Sequence, residues 1–454
     1  MNPKKTKATS TQTLSVLNPN AAGLDIGSAE IWAAVPADRD AEPVRQFGTF
    51  TPDLYALADW LAACRIETVA MESTGVYWIP VYEILEARGF QVHVVNARHV
   101  KNVPGRKTDE KDCQWIQRLH QYGLLSGSFR PDAELCALRA YLRHRADLLE
   151  HRAAHIQHMQ KALHQMNVQL TQVLSDITGE TGLAIIRKIV AGERDPVKLA
   201  QLRNPRCQHS QDEIAKALTG NYRPEHVFAL KQALALYDAY TEQLSECDGA
   251  IARQFSVMRP RHTCTALPPL DVTGKRNSHS KNTPRYDART LLYRLVGVDL
   301  VAITGLNEST VQTLLSETGT DMSKWRTEKH FCSWLRLAPC NDISGGKVLR
   351  SRTLKTHNRA TQAFRLAAQA ASRSSHTAIG AYYRRMRARL GPEKAITATA
   401  HKIARIYYYV LKHRVPFQDL GGEEYEQRAR EREIENLRKR ATRLGMTLVE
   451  QPAP

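Results

Sequence analysis

Asp25, Glu72, Asp109 and Asp112 are acids that short elements in the first quarter of the chain could carry to one place. Converging carboxylates offer hard oxygen donors for Mg²⁺, with Mn²⁺ as a substitute, and a two-metal site of this kind drives phosphoryl transfer. Asp25 sits between Leu24 and Ile26 in GLDIGS, so on a strand its side chain takes the face opposite those apolar neighbours. Glu72 closes the run TVAME ahead of Ser73-Thr74-Gly75. Asp109 and Asp112 are three apart behind Thr108, an N-cap residue type, which places both on one face of a first helical turn. Each acid alone has a plainer explanation, and for the last pair it is stabilisation of a helix dipole.

A second candidate lies far along the chain. Ser344 precedes Gly345-Gly346 and is followed by Lys347, Arg350, Arg352, Lys355, Arg359 and Arg365. A serine on a Gly-flanked loop can approach a phosphate, and those cations would hold it. From the residues alone the plainer reading is favoured: a turn serine on a solvated basic face that binds backbone phosphates without chemistry. GLDIGS also matches the phosphate loop of sugar kinases and actin-like ATPases. The second Asp-x-Gly hairpin and the Gly-rich adenosine loop of that fold are not recognisable. His151, His155 and His158 share a helical face, but on a basic helix they read as exposed or RNA-contacting rather than as metal ligands. Tyr407-Tyr408-Tyr409, within IARIYYYVLKHRV, reads as part of a buried helix and lacks the Arg/His surroundings of a tyrosine recombinase.

The elements that must position these residues follow from periodicity. GLDIGS, IWAAVPA and VRQFGTF read as successive strands closed into antiparallel hairpins, with Ala37-Asp38-Arg39-Asp40 as a turn signal. A helix over 52–63, the buried strand TVAME, a helix over 78–88 and the strand QVHVVNA follow, an order that predicts a ribonuclease-H-like α/β sheet. Next, Leu135, Leu138, Leu142, Arg145, Leu149, Arg152, Ile156, Met159, Leu163, Met166, Leu170 and Val173 recur at 3,4 spacing, the seam of one long coiled-coil-like helix broken only by two arginines. A second run, from Val227 through Tyr237 and Asp248 to Phe255, could pair with it inside one chain or zip to another protomer. The expected organisation is a flexible basic arm over 1–20, the α/β domain over 21–130, a helical coiled-coil region over 131–257 and a basic linker over 258–289. A mostly helical C-terminal domain over 290–417 and a charged helical tail over 418–454 complete it.

Composition limits the function classes. The chain of 454 residues is 42% hydrophobic, enough for two or three packed domains, and its 64 Lys and Arg against 46 Asp and Glu give a net charge of +18. Such a field attracts polyanions, so DNA or RNA is the expected partner. The eight cysteines form no CxxC pair, which argues against a zinc site or a disulfide framework and for a reducing compartment. The polar first twenty residues and the lack of a long apolar stretch predict a cytoplasmic protein without a membrane segment.

GLDIG, ESTGVYW, KTDEKD and the later serine–glycine in a basic segment closely resemble the insertion-sequence one-ten family of transposases, also described as bridge-RNA-guided recombinases. The resemblance covers most of the chain and implies a RuvC-like DEDD domain, a coiled-coil middle and a C-terminal transposase domain. It places the family's metal-binding tetrad on Asp25, Glu72, Asp109 and Asp112, and its nucleophile on Ser344. It further implies a homo-dimer or tetramer that shares its site across protomers, binds donor and target DNA, and uses a structured guide RNA, with Lys107 and the cations after Ser344 as nucleic-acid contacts. The expected activity is cutting and rejoining DNA of a mobile element, at the nucleoid, through a covalent serine–DNA intermediate. The alternatives are a RuvC-like junction nuclease that uses activated water, and a non-catalytic nucleic-acid-binding protein. Departures from the family pattern are Cys113 where alanine is common, Asn96-Ala97 for Asn-Pro, and a 291–319 stretch in which Gly297 and Gly305 stand eight apart instead of forming the usual pair.

Overall fold

The computed structural model describes residues 15–73, 75–95, 109–125, 127–260 and 281–449, without the side chains of 109–111. Most of the basic arm, Asn96-Ala97, Lys107, the Thr108 cap and most of the 258–289 segment lie outside the described residues. The chain divides into two compact units, Met1–Arg130 and Pro131–Pro454.

The first unit runs β1 Ala21–Ile26, β2 Glu30–Ala34, β3 Val44–Gly48, α1 Thr51–Ala63, β4 Thr68–Glu72, α2 Trp78–Ala87, β5 Gln91–Val95 and α3 Asp109–Gln121. The strands form one sheet in the order β3-β2-β1-β4-β5. The first three pair antiparallel, whereas β4 and β5 join parallel to β1, the order that the alternation of strands and helices predicts. Period-2 alternation sends Leu24, Ile26, Ile31, Ala33, Val69 and Met71 to the face packed on Leu54, Leu57 and Leu61 of α1 and Leu85 of α2. The opposite face is covered by α3, so β4 is buried at every position and reads as a continuous apolar run. At the expected turn, Asp40 accepts bonds from the Glu42 backbone N–H, Trp60 Nε1 and Arg45, and the first of these is the main reason its carboxyl titrates below the usual range.

The second unit begins with a pair of long helices, α4 Ala133–Gln165 and, after α5 Leu170–Val173, α6 Glu180–Val190, α7 Pro196–Ala200 and α8 Gln211–Ala217, α9 Pro224–Val257. Gln254 of α9 bonds the Glu134 carbonyl of α4, while Tyr237 lies under Arg152, so the two helices run antiparallel within one chain. The expected single seam is cut short. Helix α4 ends at Gln165, Asn167 takes a left-handed φ of 55°, and Leu170 begins a separate short helix. Met166 and Leu170 are drawn instead into an apolar cluster with Ile185, Ile189, Leu199 and Leu218 that closes the open end of the helix pair. Burial in this cluster overrides the heptad, and asparagine is among the few residues that tolerate the break.

The two arginines that interrupt the seam have counterparts. Arg145 Nε lies 2.6 Å from Asp248 Oδ1 with both side chains buried. The Arg285 backbone N–H donates to the other Asp248 oxygen, and Arg145 and Arg152 both donate to Asn282. A buried ion pair is costly to desolvate and worth most when its remaining lone pairs are satisfied, and both Asp248 oxygens accept bonds. Beyond it come α10 Ala288–Val296, a 3₁₀ turn Leu300–Ala302, α11 Glu308–Thr318, α12 Glu328–Trp334, the hairpin β6 Cys340–Ser344 and β7 Lys347–Arg352, α13 Arg359–Ser372, α14 Ala378–Leu390, α15 Pro392–His413 and α16 Gly422–Arg443. Gly305 separates α10 from α11 at a φ of 92°, where a Cβ would sit 2.3 Å from the Ala367 carbonyl oxygen. The charged tail is a docked helix: Ala429 is buried, and Glu426 and Glu433 of α16 pair with Arg384 and Arg385 of α14. Asp248→Ala is expected to strand Arg145 and cost about 3–5 kcal/mol. Denaturant unfolding should show Arg145→Met/Asp248→Leu recovering much of that loss.

Candidate active site and its family

Helix α3 lies directly on the sheet because β1 has no side chain where they cross. A Cβ built on Gly23 would fall 2.2 Å from the Gln117 backbone nitrogen and 2.4 Å from the Cys113 carbonyl oxygen. Gln117 also donates from Nε2 to the Ala21 carbonyl. Along β4 the match is regular: His120 Nε2 shares a 2.8 Å hydrogen bond with Thr68, and Ile116 packs on Ala70 and Val95. Four helix residues advance about 6 Å and two strand residues about 6.6 Å, so the next step of the same match leads from Asp112 towards Glu72.

The strands bring the other two acids together. Gly23 pairs with Ala70 and Leu24 with Met71, so the following step places Asp25 beside Glu72 on adjacent parallel strands. Asp25 is half-buried and Glu72 is buried, both on the α3 face of the sheet. Asp109 opens α3, and its side chain lies outside the described residues. Among the described residues no group of three or more His, Cys, Asp or Glu is disposed to hold a metal ion. Asp25 and Glu72 stand near strand ends on the face that α3 covers, Asp112 lies in the first turn of α3, and carboxylate oxygens are the donors that a hard divalent cation takes.

Ser344 belongs to the second unit. It ends β6 opposite Lys347, and the two residues between them, Gly345 and Gly346, have φ of 55° and 78°. Positive φ at both central positions is the requirement of a tight two-residue hairpin, which explains the glycine pair. Every residue of both strands is exposed, so the serine hydroxyl and the side chains of Lys347, Arg350 and Arg352 face solvent. Lys355 and Arg359 are exposed beyond the hairpin, whereas Arg365 is half-buried on α13. The serine expected on a loop therefore stands at the end of a strand. His151 and His155 stack on Tyr240, and His155 meets His158 edge-on. Burial and the two neighbouring histidines hold His155 below its ordinary pKa. Gly23 is the residue that reading by chemistry missed; its signal was a glycine two positions before the acid, on the same strand face.

A ribonuclease-H-like sheet with acids on the face its last helix covers is followed in the chain by a helical unit that carries an exposed serine hairpin. The model for the DEDD transposase domain of IS110 elements matches residues 22–168, and that described as transposase, IS116/IS110/IS902 family, matches residues 299–384, together about half of the chain. The chain belongs to the IS110 family of transposases. No curated protein matches it. Among the described residues no helix is long and apolar enough to cross a membrane.

His120 reports on the seating of α3. Burial, with His93 5.0 Å away, lowers its pKa to about 4 from 6.5. Between those values the unfolded chain binds more protons than the folded one, so stability is complete above about pH 6.5 and falls as pH drops towards 4. Denaturant titrations across this window are expected to show that slope, and His120→Gln is expected to flatten it. Gly23→Ala is expected to lift α3 and lower the rate of DNA cleavage by about 10²-fold, the scale of a 1 Å misplacement, in single-turnover assays.

Proposed function

We propose that the chain excises and integrates a mobile element by a serine-dependent, Mg²⁺-requiring recombination. The observation that supports the reading is the register of β1 and β4, which pairs Leu24 with Met71 and so runs on towards Asp25 and Glu72, on the face covered by the helix that bears Asp109 and Asp112. These four acids would hold Mg²⁺, or Mn²⁺ in its place, which when bound supplies Lewis-acid stabilisation of the scissile phosphate. Ser344 Oγ attacks phosphorus, a P–O bond to one sugar breaks, and that sugar leaves as a hydroxyl. The serine proton departs to a base, and the strand is held as a phosphoserine ester. Attack by a hydroxyl of a second strand then releases Oγ and completes exchange by transesterification, with no external energy source. Lys347, opposite Ser344, and Arg350 and Arg352 on the same hairpin would grip the backbone phosphates near the serine, with Lys107, Lys355, Arg359 and Arg365 extending the contact.

The division into a RuvC-like domain over 21–130, a coiled-coil region, a basic linker over 258–289 and a transposase domain over 290–417 is part of this reading. So are a working dimer or tetramer that accommodates donor and target DNA, and a structured non-coding RNA of the element that pairs with both. The net charge of +18 supports polyanion binding on that scale.

A denaturing gel separates serine chemistry from hydrolysis, because only the former leaves protein attached to a cut DNA end. Ser344→Ala is expected to abolish that adduct, and equal cleavage by the variant would overturn the nucleophile assignment. Glu72→Gln is expected to slow cutting by about 10²–10³-fold, and an unchanged rate at saturating Mg²⁺ would remove Glu72 from the site.

A further inference from the structure

Of the three consecutive tyrosines on α15, two are core residues and one is not. Tyr407 and Tyr408 are buried and bonded to Thr318 and to the Trp325 carbonyl, whereas Tyr409 is 55% exposed with its ring 4.5 Å from that of His413. Tyr409 lines a cavity of about 660 Å³ between the start of α12 and the end of α15, and Arg326, Lys402, Arg405, Lys412 and Phe417 share its walls. A second cavity of about 580 Å³ continues from Lys402 towards α16, with Tyr382, Tyr425, Arg428 and Arg432 in its walls. Lys402 lines both, so the two adjoin along α15 and are treated together as one cleft.

The charge of this cleft is compensated only in part. Its walls hold six Lys and Arg side chains against two carboxylates, Glu328 and Glu431. Arg405 pairs with Glu328, and Arg428 with Glu424 outside the cleft. Among the described residues Arg326, Lys402, Lys412 and Arg432 have no carboxylate partner; Lys412 donates only to the Tyr408 hydroxyl. Burial, then Arg405 and Arg432, hold the Lys402 ammonium below its ordinary pKa, a cost that an anion in the cleft would relieve. A lone anion would leave the rings unused, and an apolar ligand would leave the cations unused. Spaced cations beside the exposed ring of Tyr409 match phosphates and a base together.

We propose that this cleft along α15 is a binding site for a single-stranded nucleic-acid segment, with a base stacked on Tyr409 and flanking phosphates held by Arg326, Lys402 and Lys412. The site is separate from Ser344 and its hairpin cations, and it rests on the family's DNA chemistry only for the presence of nucleic acid. Single-stranded DNA and RNA share the recognised chemistry, so both enter the test.

The full chain would be titrated with fluorescein-labelled dT₁₂, U₁₂ and a blunt duplex. Tyr409→Ala is expected to weaken dT₁₂, U₁₂ or both by about tenfold, in the range of a lost base–aromatic stack, with the duplex unchanged. Arg326→Glu/Lys412→Glu is expected to reduce the slope of log affinity against log salt by about 0.7 per cation. Ser344→Ala should bind the strand normally, so failure of the nucleophile assignment and failure of this site are read separately. Photo-cross-linking of 5-iodouracil-substituted dT₁₂ to the unaltered protein needs no variant, and the adduct is expected on the peptide that contains Tyr409. Equal weakening of duplex and single strand, no weakening of either strand, or cross-links confined to other segments would each overturn the proposal.

Discussion

The bare backbone of Gly23 is the constraint on which the candidate site depends. A helix can approach a strand this closely only where neither contributes a Cβ, and at Gly23 any side chain would meet the helix main chain rather than a flexible neighbour. That approach fixes the height of α3 above the sheet. The Thr68–His120 bond and the Ile116–Ala70 contact then fix its phase. With height and phase set, the end of α3 that bears Asp112 lies towards the strand ends, where the register of β1 and β4 runs on from Leu24 and Met71 to Asp25 and Glu72.

The second unit is organised around different physics. Its long helices meet through an apolar seam, and the ion pair of Arg145 and Asp248 sets their register because an unpaired charge at either position would be far more costly than the pair. The same pair holds Asn282 and Arg285 by backbone bonds, so the segment that leads into α10 is anchored where it leaves the helices. The serine hairpin is the opposite case, a two-stranded ribbon with no buried residue. Isolated hairpins are marginal in water, so this one gains most from a partner surface.

Much of the architecture was legible beforehand for identifiable reasons. Alternation located β1 through β5, and Leu24 and Ile26 flanking Asp25 already told which face the acid takes. The heptad runs located α4 and α9, and the arginines in the first run were visible as exceptions although their partner was not. The IS110 family resemblance, carried by GLDIG, ESTGVYW and KTDEKD, agrees with the two family matches. Less was legible where a residue's role depends on distant chain. Met166 and Leu170 fit the heptad yet leave the helix, because the apolar cluster beyond it offers them deeper burial. Gly23 carried no chemistry to notice, and Tyr409 was masked by two buried tyrosines beside it.

By itself, the sequence determined which residues are apolar, at what period, and which carboxylates and serine are chemically capable, because these are properties of side chains and of their spacing on one element. Only the tertiary structure decided which apolar face meets which. It paired α4 with α9 inside one chain, brought α3 onto Gly23, and left one tyrosine of three at the edge of a cationic cleft. The physical reason is that local pattern specifies a surface to be buried, whereas the partner that buries it is chosen by shape and charge supplied from elsewhere in the chain.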